Sequence, residues 1–329
     1  MKRALFVGID DYPGQPLGGC VADARALAEV LARHENNARN YEIRLVTSDS
    51  ECIDRSRLRT LLAELFENAR GAELLFYFAG HGAESPWGGE LVTQDAAQNS
   101  LGVSMNDVVT LANNSLAREV TIILDCCFSG DLANLPSLLS EDVTPASRLA
   151  KAMVREGVTL LAASRATQKS TESEGHGAFT RLLLEGLEGA AADPIGKVTA
   201  LSLYDFASRA FNGWEQRPVF KSHVVEPAVL RVCNPSIGAA LLQQLPRYFS
   251  SADARIRMSP SYEGVRPIPA GVMPTPEQQA FDYFKGLRNA GLLTTDSNKD
   301  LYFVALDSEE VFLTGTGRYF WRLAAEDRL

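Results

Sequence analysis

His81 and Cys127 are the two residues whose types and surroundings suit them to act on a substrate together. His81 sits in Phe78-Ala79-Gly80-His81-Gly82, and Cys127 sits in Asp125-Cys126-Cys127-Phe128-Ser129-Gly130. An imidazole that accepts a proton beside a thiol that gives one up is the equipment for acyl transfer through a thioester. Each peptide follows an uninterrupted apolar run, Leu74-Leu75-Phe76-Tyr77-Phe78 and Val120-Thr121-Ile122-Ile123-Leu124. Such runs read as strands buried on both faces. Histidine and cysteine therefore arrive at the C-terminal ends of two strands, where open α/β sheets place their chemistry.

The elements that must position this pair are legible as an alternation. Strands are predicted at 4–9, 41–47, 73–79, 120–126 and 158–164, with a small extra strand at 89–93. Helices are predicted at 21–33, 55–69, 105–115 and 178–189, each with apolar residues on one face, such as Leu58, Leu61, Leu62 and Leu65. Short, fully apolar strands alternating with amphipathic helices predict a mainly parallel sheet with helices on both faces. Segment 131–155 mixes Leu, Ser, Pro and acidic residues without a period and reads as an exposed loop.

Bulk properties bound the function. A chain of 329 residues allows one large domain or two ordinary ones. A hydrophobic fraction of 46% and a charged fraction of 22% describe an ordinary globular composition. The net charge of −9 argues against general binding to nucleic acid or anionic membranes. No apolar run reaches the ~20 residues of a membrane span. The apolar stretch after Met1-Lys2-Arg3 stops at Asp10-Asp11, too soon for a secretion signal. Five unevenly spaced cysteines without a C-x-x-C pair predict reduced thiols, a cytoplasmic setting and no zinc site.

Five peptides, in order, resemble the caspase/metacaspase family of cysteine endopeptidases, the metacaspases more than the animal caspases. They are Val7-Gly8-Ile9-Asp10, Gly19-Cys20-Val21-Ala22-Asp23-Ala24, Phe76-Tyr77-Phe78-Ala79-Gly80-His81-Gly82, Asp125-Cys126-Cys127-Phe128-Ser129-Gly130 and Gly175-His176-Gly177-Ala178-Phe179-Thr180. The resemblance covers residues 1–234 and implies a caspase-like α/β/α sandwich with a mainly parallel six-stranded sheet. It implies Cys127 as the nucleophile, third in Asp-x-Cys-x-Ser-Gly. Strand alternation agrees, since Cys126 and Cys127 point to opposite faces. His81 would be the base and acid, and the backbone N–H groups of Gly82 and Cys127 the oxyanion donors. His176, also between glycines, is the rival base, but it follows a polar stretch and reads as having a structural or loop role.

Substrate choice follows from the same resemblance. Asp23 and Asp125 stand where metacaspases place paired carboxylates, which would hold a guanidinium or ammonium group. Peptide or protein cleavage after Arg or Lys is the expectation. Ala79 departs from the serine usual before Gly-His-Gly, so one polar contact of that pocket is missing. Arg148, Lys151 and Arg155 lie in or near the exposed loop and are candidate processing sites, for this enzyme or an upstream activating protease. No cofactor is required. Calcium, which many metacaspases use, would have to draw on Asp95, Asp131, Glu141 and Asp142, which form no compact acidic loop.

Beyond residue 234 the resemblance ends. Residues 235–274 carry Pro235, Pro246, Pro260 and Pro274 among scattered serines and arginines, a linker-like composition with a short helix at 239–245. Thr275-Pro276-Glu277 opens a helix that Gly291 stops. Residues 301–306 and 311–321 then read as a hairpin, so 275–329 resembles the end of a winged-helix module with a regulatory or docking role. Over the whole tail, 235–329, ten Lys and Arg stand against eleven Asp and Glu, which weakens nucleic-acid binding. Two alternatives remain: a catalytically silent caspase-like scaffold binding a protein or nucleic-acid partner through this tail, and a ligase-type transpeptidase.

Overall fold

The computed structural model describes residues 1–85, 88–97, 100–128, 153–163, 176–210, 218–264 and 273–329. The chain divides into two compact units, Met1–Ala192 with Lys197–Cys233, and Asp193–Gly196 with Asn234–Leu329.

The strands of the first unit are β1 (Lys2–Gly8), β2 (Glu42–Thr47), β3 (Glu73–Ser85), β4 (Gly88–Ala97), β5 (Ser100–Ser104), β6 (Glu119–Phe128), β7 (Val158–Ala162), β8 (Lys197–Thr199), β9 (Val219–His223) and β10 (Val229–Val232). Six of them form the main path of one sheet in the order β2-β1-β3-β6-β7-β9. All neighbours on that path are parallel except β7 and β9. β4 and β5 extend the end of β3 as antiparallel neighbours. β8 and β10 pair separately.

Helices α1 (Cys20–Ala32), α2 (Arg55–Phe66), α3 (Met105–Asn114), α4 (Ala178–Glu185) and α5 (Ala200–Ala210) cover the sheet. Leu58, Leu61 and Leu62 of α2 and Val108 and Ala112 of α3 share one core with Leu5, Val7, Phe76, Ile122 and Cys126. Leu27 and Leu31 of α1, Leu183 of α4 and Leu203 of α5 share the other with Phe6, Tyr77, Ala79 and Ile123. Alternate residues of each strand therefore enter different cores, which is why the strands read as continuous apolar runs. This is the expected α/β/α sandwich.

Local signals start the helices. The Asp54 carboxylate accepts the Arg57 N–H and opens α2, and the Ser104 hydroxyl does the same for Asn106 in α3. α1 has no cap of its own at Gly19. Asp10, just after β1, accepts the amides of Cys20 and Val21 at 2.9 and 3.1 Å. Gly8 permits the approach: a Cβ there would lie 2.4 Å from the Cys20 carbonyl oxygen.

The second unit contains α6 (Ala239–Leu242), α7 (Leu245–Tyr248), β11 (Arg255–Arg257), α8 (Pro260–Glu263), α9 (Pro276–Asn289), β12 (Leu293–Thr295), α10 (Leu301–Leu306), β13 (Glu310–Leu313) and α11 (Gly315–Ala325). Its strands form a small antiparallel sheet in the order β11-β13-β12. Two expectations change here. Within 235–274, read as a linker, Leu242, Leu245, Phe249 and Met258 are buried in one core with Phe281, Phe284 and Val311. Each buried side chain of this size contributes about 1.5–3 kcal/mol, so this part of the stretch belongs to the folded unit despite its prolines. Residues 301–306 are a helix and not the first arm of a hairpin. Asp300 caps it by accepting the Tyr302 N–H, and Leu301, Val304 and Ala305 are buried at helical spacing. Of the second arm, 311–321, only the start lies in β13, and residues from Gly315 on are helical, in α11. Thr275 and Gln278 form a reciprocal capping box on α9, as the opening Thr-Pro-Glu suggested.

Among the described residues, no helix is long and apolar enough to cross a membrane.

Candidate active site

β3 and β6 run side by side in register, with His81 opposite Cys127, Ala79 opposite Asp125 and Gly82 opposite Phe128. Paired positions on neighbouring strands share a face of the sheet. Tyr77, Ala79 and His81 therefore occupy the same face positions as Ile123, Asp125 and Cys127. Cys126 occupies the opposite face, 1% exposed in the other core.

His81 is held by residues that precede α1. The Tyr12 hydroxyl accepts the His81 backbone N–H at 3.1 Å and donates to the Val92 carbonyl at 3.1 Å. The two rings lie 4.6 Å apart. Nε2 of His81 is 2.8 Å from the Gln15 carbonyl oxygen. A carbonyl only accepts, so Nε2 carries the proton in this bond and Nδ1 is the basic nitrogen of the neutral ring. Burial holds His81 below the ordinary histidine range, with the Gln15 bond partly opposing it. Gly80 leaves room for Tyr12, since a Cβ there would lie 2.4 Å from the Tyr12 oxygen. Gly82, expected as an oxyanion donor, is also the β3 residue facing Leu91 of β4.

Asp23, Asp125, His176, Gly177 and Thr180 come together on the same face. α1 supplies Asp23 in its first turn, β6 supplies Asp125, and the start of α4 supplies Gly177 and Thr180. A Cβ on Gly177 would lie 3.1 Å from Oδ2 of Asp23 and 3.4 Å from Oδ2 of Asp125. Asp23 accepts the Gly177 N–H at 3.1 Å through Oδ2, and its Oδ1 is 2.7 Å from Nδ1 of His176. Asp125 accepts the Thr180 hydroxyl at 2.5 Å. With that proton committed, the Tyr77 hydroxyl donates to Thr180 at 2.7 Å.

Burial, then the charge of Asp125, pushes Asp23 up to about 6, while His176 and Gly177 pull the other way. Burial raises Asp125 as well, with Thr180 opposing. Cys20 lies close enough to Asp10, Asp125 and Asp23 for their charges to add to burial in keeping its thiol protonated. Two buried carboxylates sharing a site are costly unless a cation completes them. Among the described residues, no Lys or Arg is paired with either.

Ala79 is fully buried in the core beneath this site, with Tyr77 and Phe179. Arg155 is engaged elsewhere: its guanidinium donates to the Ala117 carbonyl at 2.7 Å and the Ser115 hydroxyl at 3.2 Å, and its N–H to Asn113 at 2.9 Å. These bonds tie the side chain down behind α3. Arg148 and Lys151 lie outside the described residues, as do Asp131, Glu141 and Asp142. Asp95 is bonded to Thr93 and the Arg55 amide. Among the described residues, no group of three His, Cys, Asp or Glu side chains could hold a metal.

Sequence reasoning missed Tyr12 and Gln15, which sit in an aperiodic loop, and assigned His176 a structural or loop role without its partner Asp23. It quoted Gly177 and Thr180 only as parts of a motif.

A family model described as the caspase domain matches residues 1–229. Metacaspase-2 of Trypanosoma brucei brucei is 27% identical over 150 residues, 41% of this chain and 43% of that protein. Metacaspase-5 of the same organism is 30% identical over 151 residues, 41% of this chain and 30% of that protein. The aligned part thus spans less than half the length of these curated relatives. A crystal structure of a Geobacter sulfurreducens protein aligns with TM-score 0.47 and 16% identity, over 71% of this chain and 97% of that one.

Proposed function

The chain belongs to the caspase family of cysteine peptidases, and from that premise we propose that it is an endopeptidase that cuts after Arg or Lys, with Cys127 as nucleophile and His81 as its base and acid. The observation that carries this reading is the convergence of Asp23 and Asp125 around Gly177, on the sheet face that holds the register positions of His81 and Cys127. A guanidinium or ammonium group is the partner that two such carboxylates lack.

Nδ1 of His81 takes the Cys127 thiol proton, and the thiolate attacks the scissile carbonyl. Backbone amides of Gly82 and Cys127 receive the developing oxyanion. The imidazolium then protonates the departing amine as the C–N bond breaks and a thioester forms. Water, deprotonated by His81, attacks the thioester and releases the new carboxylate and the free thiol. The Gln15 carbonyl holds Nε2–H throughout, which fixes the ring orientation and stabilises the transient imidazolium.

A fluorogenic peptide series differing only at the residue before the cut tests the reading. Arg and Lys peptides are cleaved, Asp peptides are not, and Asp125→Asn loses most activity on the basic peptides. Unchanged turnover in Asp125→Asn would place the pocket elsewhere. Ligation products in place of hydrolysis would favour a transpeptidase.

A further inference from the structure

His176 occupies the place in the acidic pocket where a cation would go. Its Nδ1 reaches Oδ1 of Asp23 at 2.7 Å, while the Gly177 amide reaches Oδ2 at 3.1 Å. Both oxygens of Asp23 are therefore engaged before any substrate enters. Asp23 is 4% exposed and His176 30% exposed, so the imidazole is the accessible member of the pair. The two donors differ in what they can give up. The Gly177 amide belongs to the backbone that starts α4, where its carbonyl accepts the Arg181 N–H at 2.9 Å. Releasing it would move the helix. The imidazole is a side chain and can leave by rotating about its own bonds.

We propose that His176 is a specificity-determining residue: it fills the Asp23 side of the pocket in the free enzyme, and the basic side chain of the substrate must displace it to reach both carboxylates. The inference rests on the reading of Asp23 and Asp125 as the pocket for that side chain. A cation that bridges Asp23 and Asp125 recovers more than the single bond it replaces, whereas a neutral side chain recovers nothing and leaves His176 in place. His176 thus acts as an internal competitor that raises the threshold for every basic substrate and does not touch the reacting atoms.

The test compares wild type, His176→Ala, His176→Leu and His176→Asn on matched peptides with Arg or Gln before the cut, with benzamidine as a rigid amidinium probe. Removing a charge-assisted hydrogen bond that competes with ligand improves affinity by about tenfold. In His176→Ala, KM for the Arg peptide and Ki for benzamidine both fall by that factor, and KM for the Gln peptide does not. His176→Leu, which keeps side-chain bulk without a donor, gives the same result if the Ala variant folds poorly. His176→Asn retains an N–H donor and stays near wild type. A structural defect would raise KM, not lower it. Unchanged or raised KM and Ki in both donor-free variants overturn the inference while leaving the pocket reading intact, provided wild type prefers Arg over Gln. A wild type without that preference overturns both.

Discussion

The Tyr12 hydroxyl bonds to the His81 backbone N–H at 3.1 Å, and the two rings lie 4.6 Å apart. A loop residue thus holds the histidine in place from below the strand end. Tyr12 is 6% exposed and also donates to Val92, so Tyr12→Phe strands a buried donor and a buried acceptor. The cost is about 1–3 kcal/mol for each unsatisfied group. A shift of the imidazole follows, and kcat/KM falls about 10- to 100-fold. Steady-state kinetics with an Arg peptide, alongside a melting curve, checks both halves.

Gly177 lies against both carboxylates, 3.1 and 3.4 Å from where its Cβ would be. Gly177→Ala puts a methyl group in the space that the substrate's cation would use. The expected outcome is a loss of activity on Arg peptides of at least tenfold with little loss on a peptide that lacks a basic side chain. Parallel assays of the two peptides measure it.

Asp125 is a carboxylate whose burial raises its pKa. The folded state favours its neutral form, so its contribution to stability is present below the unfolded value near 3.8 and lost as pH rises through the raised folded value. Asp125→Asn removes that loss and keeps an acceptor for Thr180. Its melting temperature at pH 7.5 should exceed wild type by about 2–4 °C, and the gap should close toward pH 4. Calorimetry at the two pH values decides it.

Asp23, pushed up to about 6, predicts an acid limb specific to basic substrates. Below pH 6 the free pocket takes up a proton and binds cations less well. KM for an Arg peptide should rise about tenfold between pH 7 and pH 5, on top of any loss of kcat from His81. A peptide with a neutral residue at the cut site should show only the His81 limb, which burial places on the acid side of the ordinary histidine value.

The parts legible in the sequence were those written as continuous local pattern. β3 and β6 bury residues into both cores, so their apolar runs stood out, and the peptides that follow them carried His81, Asp125 and Cys127. β9 is half-exposed along most of its length and gives no such run. Tyr12 and Gln15 lie in a loop whose role depends on where β3 and β4 end. His176 was noticed between its glycines, yet its partner Asp23 lies 153 residues away, and no local pattern links a loop after a polar stretch to the first turn of α1. In the second unit, the aromatic run at 301–306 has high strand propensity, and tertiary burial of Leu301, Val304 and Ala305 on one helical face overrides it.

The most direct measurement is a peptide-library cleavage profile of the whole chain beside its Cys127→Ala variant. The account predicts cuts confined to bonds after Arg or Lys in wild type and none above background in Cys127→Ala. Basic-site cleavage that persists in Cys127→Ala, or a wild-type profile centred on acidic or neutral residues, would contradict it.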